Sequence, residues 1–263
     1  MPAPVLPRRS LLLALGALAC APRPEAPRRR VAVAAAADLR FVLADLVADL
    51  RAARPDLLVE VTYGASGSLV AQITQGAPFD VFLSADEALA RGLVASDLAD
   101  GRTLFRYARG HLALWAPRSL PLDVAALGLR ALLDPAVRHV AVANPAHAPY
   151  GRAALAALKS ARVDLAVTPK IVMGENVAQA LQMAQSGAAE VALVARSLTV
   201  APSPAAGGRV YSVPAALHLP IDQAAVTLRR ARDPAAAAVF TAFLRSPSAL
   251  ARFARYGFDP PAA

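Results

Sequence analysis

Ser66 stands in the run Tyr63-Gly64-Ala65-Ser66-Gly67-Ser68-Leu69, between a β-rich stretch at 57–63 and a helical pattern at 69–75. Small residues at a strand-to-helix turn leave the first helical N–H groups open, and together with a hydroxyl they form a ready anion site. A serine placed there also caps its own helix in many proteins, and a single turn of this kind favours that simpler role. The turn recurs, however. Ala37-Asp38, Pro149-Tyr150 and Glu175-Asn176-Val177 each end a strand or loop at a helix start. Four N-termini turned into one cleft, each with about half a unit of positive charge, come close to balancing a dianion without any Lys or Arg. Asn176, with Gln179 three residues on, has the form of a capping box, which is compatible with a Val177 N–H offered to a ligand. Tyr150, held between Pro149 and Gly151, reads as a core aromatic or as a donor, and its place at a helix start favours the donor.

The same serine admits a second chemistry. Gly64-Ala65-Ser66-Gly67-Ser68 nearly spells the Gly-x-Ser-x-Gly nucleophile elbow, with Ser68 where the last glycine belongs. A serine hydrolase using Ser66 would need a base from His111, His139, His147 or His218. The first two open strands, His147 lies in the 145–150 turn, and none sits in a recognisable catalytic context. No His and Cys spacing suits a directly bound metal, and no cofactor is expected.

These turns need elements to hold them, and from residue 31 β-rich runs alternate with amphipathic runs, the mark of α/β layers. Strands are expected at 31–35, 57–63, 80–85, 111–116, 139–144, 170–173 and 191–195. Helices are expected from Asp38-Leu39 to Pro55, and at 69–75, 86–93, 151–161, 177–186, 233–244 and 248–256. The first helix places Leu39, Val42, Leu43, Leu46, Val47 and Leu50 on one face and Asp45, Asp49 and Arg51 on the other. Residues 202–208 form a Pro- and Gly-rich loop. The chain crosses to a second lobe near 111 and returns over 220–228. The expected fold class is therefore α/β, with two Rossmann-like lobes joined by crossing segments. Lobe I takes 31–110 plus 216–263, lobe II takes 111–215, and the ligand cleft lies between them.

Residues 1–30 read as a signal peptide and tether. Arg8-Arg9 precedes an apolar run at 11–19 that is too short to span a bilayer. The pair resembles a twin-arginine export motif and fits an ordinary secretory signal equally. Cys20 is the only cysteine, so no internal disulfide can form. Ala17-Leu18-Ala19-Cys20 suits either lipidation at Cys20 or plain cleavage. The net charge of +9 is concentrated at this end, where six Arg face one Glu, so +4 remains for residues 31–263. The later basic residues are scattered without interleaved aromatics, which argues against nucleic-acid binding.

Six segments in order resemble periplasmic molybdate-binding proteins of ABC transporters. They are Ala35-Ala36-Ala37-Asp38-Leu39, the Tyr63 to Leu69 run, Gln75-Gly76-Ala77-Pro78-Phe79-Asp80-Val81-Phe82, the 143–151 run, Gly174-Glu175-Asn176-Val177 and Arg255-Tyr256-Gly257-Phe258. The resemblance implies a type II periplasmic-binding-protein fold, a monomer that closes like a hinge on molybdate or tungstate and delivers it to a membrane permease. It places the oxyanion contacts on Ala37 or Asp38, Ser66, Tyr150 and Val177, and implies that molybdenum arrives only as its oxyanion. Two positions depart from the family pattern. Asp38 stands where many members have Ser or Asn, and is expected to cap its helix, with Arg40 as a neutralising neighbour, or else to accept a proton from a protonated anion. Ala195 stands where some members place a Tyr. Sulfate, phosphate or a small carboxylate on the same fold is the alternative ligand.

Overall fold

The computed structural model of the protein describes residues 29–200 and 207–261. The export motif, Cys20, residues 22–28 of the tether and most of the 202–208 loop lie outside the described residues. Among the described residues ten strands form two five-stranded sheets. The first sheet has the order β2 (Leu57–Gly64), β1 (Arg29–Ala36), β3 (Val81–Ser84), β10 (Ile221–Thr227), β4 (Phe105–Gly110). The second runs β7 (Ile171–Gly174), β6 (Val140–Ala143), β8 (Val191–Ala195), β5 (Leu112–Ala116), β9 (Arg209–Ser212).

Both sheets are mixed. β1 pairs parallel with β2 and β3, whereas β10 runs antiparallel between β3 and β4. In the second sheet β6 pairs parallel with β7 and β8, and β5 is antiparallel to β8 and β9. β1 is covered on both faces, as a central parallel strand must be. Val31, Val33 and Ala35 face the core built with helix α1 (Arg40–Ala53), while Ala34 faces the core of α2 (Ser66–Thr74) and α3 (Glu87–Ala95). Along α1, Val42, Leu43, Leu46 and Leu50 are buried, so the expected apolar face is the one that packs. α8 (Pro234–Leu244) and α9 (Pro247–Arg255) close the same core through Phe240 and Phe253. The second sheet is covered by α5 (Pro149–Ser160) and α7 (Val177–Gln185), with the short helices α4 (Val124–Leu127) and α6 (Asp164–Val167) at its margins.

Four differences from the sequence expectations have physical causes. β1 begins at Arg29 rather than Val31, because Arg29 and Arg30 pair in register with Leu57 and Leu58 and form ion pairs with Asp233 and Glu60. The tether as expected therefore gives up its last two residues to the sheet. β4 was not anticipated, since its arginines interrupt the apolar alternation; Arg106 and Arg109 are held by Glu87 and Asp222. β9 carries only half-buried or exposed residues and gave no apolar signal either. The stretch expected as a return crossing is itself the strand β10, four of whose last five residues are Ala, Ala, Val and Thr in the sheet interior. The chain passes between the sheets at Gly110-His111-Leu112 and again over residues 213–220.

Candidate functional site

The C-terminal ends of the parallel strands in both sheets point to one place, the usual ligand position in α/β layers. A cavity of ≈ 10 Å³ lies there, about the room in which one water-sized sphere can be centred. Its walls are Ala36, Ala37 and Asp38 at the end of β1, Gly64, Ala65 and Ser66 at the end of β2, and Ala85 after β3, all on the side of the first sheet. Ala148, Pro149 and Tyr150 at the start of α5, with Asn176 and Val177 at the start of α7, complete it from the second. All five residues singled out from the sequence thus line the same cavity. Asp38 is the one charged side chain among those walls.

Ser66 does not cap α2. Ala65 holds the N-cap position with no side-chain cap bond, and Ser66 is the first helical residue. Its Oγ accepts the Ala85 N–H at 3.0 Å, and the side chain is buried. With that lone pair engaged, the hydroxyl hydrogen is the part left to offer to an acceptor. No His side chain bonds to Ser66 among the described residues. His147 is exposed, His111 pairs with Asp259, His139 with Glu190, and His218 Nδ1 meets the Leu219 carbonyl, so none of the four candidate bases meets Ser66.

Asn176 caps α7 as expected, its Oδ1 accepting from the Ala178 and Gln179 N–H groups at 3.0 and 3.1 Å. Gln179 reaches back to the Glu175 N–H, one residue short of a regular capping box. This arrangement satisfies the second and third N–H groups of the helix and leaves out the first, that of Val177.

Asp38 corrects the expectation most. It lies inside a 3-10 turn, Ala37–Leu39, and makes no cap bond to either that turn or α1. Arg40 is exposed and forms no ion pair with it. The carboxylate is instead turned inward, 1% exposed, where Oδ2 accepts from Tyr150 Oη at 3.1 Å and from Gln223 Nε2. Gln223 Nε2 also lies 3.3 Å from Tyr150 Oη, and Gln223 Oε1 accepts from Tyr107 Oη at 2.7 Å. Oδ1 has no partner. Burial pushes the Asp38 pKa up to about 6, against the opposite pull of the hydrogen bonds from Gln223, Tyr150 and its own N–H. Burial first, and then the Asp38 charge, hold the Tyr150 and Tyr107 phenols well above their ordinary range, so both remain donors.

Tyr150 is therefore both a wall of the cavity and a tie between the two sheets. Three further ties cross the cleft: Ser197 Oγ donates to the Asp38 carbonyl at 2.8 Å, the Gly67 N–H to the His147 carbonyl at 2.8 Å, and Arg152 Nη2 meets Asp86 Oδ2 at 2.5 Å. Close approach is built into the backbone. A Cβ on Gly110, at the first crossing, would lie 2.2 Å from Tyr150 Oη and 2.9 Å from Gln223 Nε2. Gln223 and Tyr107 were missed from the sequence. The available signal was a lone amide at the inward phase of β10, where Ile221, Gln223 and Ala225 share a face. Ala195 ends β8 fully buried and contributes nothing to the cavity wall, whereas Ser197 two residues on reaches Asp38.

Two mixed α/β layers closed over a donor-lined cavity define the class of two-lobed solute-binding proteins. Residues 31–259 match the family model for bacterial extracellular solute-binding proteins, and the chain belongs to that family. It is 38% identical over 200 residues to the molybdate-binding protein ModA of Rhodobacter capsulatus, covering 76% of this chain and 77% of that one. ModA of Azotobacter vinelandii is 34% identical over 250 residues, covering 94% and 96%. The solved structure of the Azotobacter vinelandii periplasmic molybdate-binding protein superposes with a TM-score of 0.80 at 30% identity, covering 88% of this chain and all of that one.

Proposed function

We propose that this protein is the extracytoplasmic receptor of an ABC transporter, capturing molybdate in the cavity between its lobes and delivering it to the membrane permease. The observation that carries this reading is a cavity of ≈ 10 Å³ lined by four helix starts and no Lys, Arg or His. So small an enclosed space excludes an organic solute, and the helix starts around it suit a compact oxyanion. A fully deprotonated dianion accepts from every N–H and O–H, and such charge-assisted bonds are about twice as strong as neutral ones. Ala37, Asp38, Ser66, Tyr150 and Val177 are assigned as the contacts. Ser66 gives its hydroxyl, Val177 and Ala37 give backbone N–H groups, and Tyr150 sets the wall and holds Asp38. Lobe I is assigned to 31–110 plus 216–263 and lobe II to 111–215. The working form is a monomer, exported to the periplasm by residues 1–30, with Cys20 as the lipid-anchor position if cleavage precedes it. Tungstate, of the same shape and charge, is the second cargo. The role is binding rather than catalysis.

The unpartnered Asp38 Oδ1 favours one rival ligand, hydrogen phosphate, which carries a proton that such an acceptor would bind. Calorimetric titration of the mature protein with molybdate, tungstate, sulfate and phosphate separates the readings. Molybdate and tungstate are expected to bind far more tightly than the other two. Equal affinity for sulfate, or preference for phosphate, overturns the assignment.

A further inference from the structure

Asp38 Oδ1 and His218 Nε2 are the two buried side-chain polar atoms left without a partner among the described residues, and Asp38 is part of the wall of the cavity. Its sister atom Oδ2 is fully engaged by Tyr150 and Gln223. The charge on Asp38 is also uncompensated. Facing it are the phenols of Tyr107 on β4 and Tyr150 on α5, the neutral amide of Gln223 on β10 and the hydroxyl of Ser197. From α7 come Val177 and the Asn176 cap, and from β2 come Gly64 and Tyr63, whose Oη donates to the Arg40 carbonyl at 3.4 Å. Arg40 is exposed, and the exposed Arg196 packs against Gly257. No Lys, Arg or His side chain is paired with Asp38 among the described residues.

A carboxylate oxygen and an oxyanion oxygen are both acceptors, so side by side in this cavity they repel and cannot bond unless one hydrogen lies between them. We infer that Asp38 carries the proton of the loaded site, its Oδ1 sharing one hydrogen with an oxygen of the bound tetrahedral oxyanion, so that capture of a dianion takes up one proton from solution. This rests on the oxyanion reading above and makes Asp38 a specificity-determining contact. The balance is simple: one O–H bond forms at the carboxylate, none breaks in the ligand, and the complex carries one negative charge fewer than its separated parts. With the lobes shut as described, burial already brings Asp38 to a pKa of about 6 before any anion adds its own field.

The test is calorimetry of the wild type and Asp38→Asn with molybdate, tungstate and sulfate, all fully deprotonated from about pH 7 to 9, in buffers of different ionisation heat. The wild type is expected to take up close to one proton per anion at about pH 8, and its affinity to fall about tenfold per pH unit over that range. Asp38→Asn is expected to bind with no proton uptake and no slope. An infrared band of a protonated carboxyl should appear on loading the wild type and be absent in the variant. Zero proton uptake by the wild type, or an unchanged slope in Asp38→Asn, overturns the inference. If sulfate binds and molybdate does not, the cargo assignment fails while the proton count is still read on sulfate. If none of the three binds, both fail.

Discussion

Asp38 is a buried acid whose raised pKa acts on folding as well as on binding. Between its ordinary value near 4 and its folded value of about 6, the native state holds a proton that the unfolded chain has released. Stability from this group is therefore fully present below about pH 4, is lost as pH rises to about 6, and stays lost above. A shift of this size corresponds to about 3 kcal/mol, reduced in the Asn variant by an amide donor left unpaired where Oδ1 stood. Asp38→Asn is expected to be about 1–3 kcal/mol more stable than the wild type at pH 8, with the gap closing near pH 4; a lower melting temperature at pH 8 would refute this. Ser66 acts the other way. Ser66→Ala removes a hydroxyl donor to a charged acceptor and should weaken molybdate binding by roughly 1.5–3 kcal/mol, about ten- to a hundred-fold, measured by titration. It also strips the Ala85 N–H of its acceptor, so the melting temperature of the free protein should fall too. The location of Ser66, Val177 and Tyr150 was legible because a small-residue turn before an apolar helical pattern has few alternatives. The role of Asp38 was not, since cap and buried acid look alike until Gln223, 185 residues away, is brought beside it.

At the level of elements, α2 carries a position where helix stability and lobe closure oppose each other. Gly67 is the second residue of that helix, and a Cβ there would lie 2.8 Å from the His147 carbonyl oxygen and 3.1 Å from its Cα, both backbone atoms of the other lobe. Alanine is better than glycine in a helix by about 1 kcal/mol. Gly67→Ala is thus expected to leave or raise the melting temperature of the free protein while weakening anion binding, because only the closed arrangement meets the obstacle. Unchanged affinity in that variant would show that the approach of α2 to residue 147 is dispensable. The longer helices and central strands were legible because their apolar periods are intact, whereas α4 and α6, of four residues each, are too short to show one. β4 escaped because strands at a sheet edge tolerate arginines that ion pairs with Glu87 and Asp222 hold in place, a contact no local pattern contains. β9 escaped because its four residues are too few and too exposed to show alternation.

For the whole molecule, the two crossings at 110–112 and 213–220 are where the lobes can turn, and the ties across the cleft are few: Asp38 and Gln223 to Tyr150, Asp38 to Ser197, Gly67 to His147, and Asp86 to Arg152. Small-angle scattering is expected to show a smaller radius of gyration with molybdate than without, and no such contraction in Gly67→Ala; equal radii in both states of the wild type would reject hinge closure. The cation-free cavity has a consequence for where such a receptor can work. On the proposed assignment its attraction for the anion comes from N–H and O–H groups fixed in the fold, and buried interactions of this kind are little screened by mobile ions. Once the lobes have shut, dissolved salt has no route to compete. The dissociation rate of molybdate should therefore stay nearly constant from about 0.01 M to about 1 M sodium chloride, as read by stopped-flow displacement, while the association rate responds to the surface charge. A compartment open to the surroundings changes salinity with every rinse or drought, and a receptor built this way holds its cargo through both.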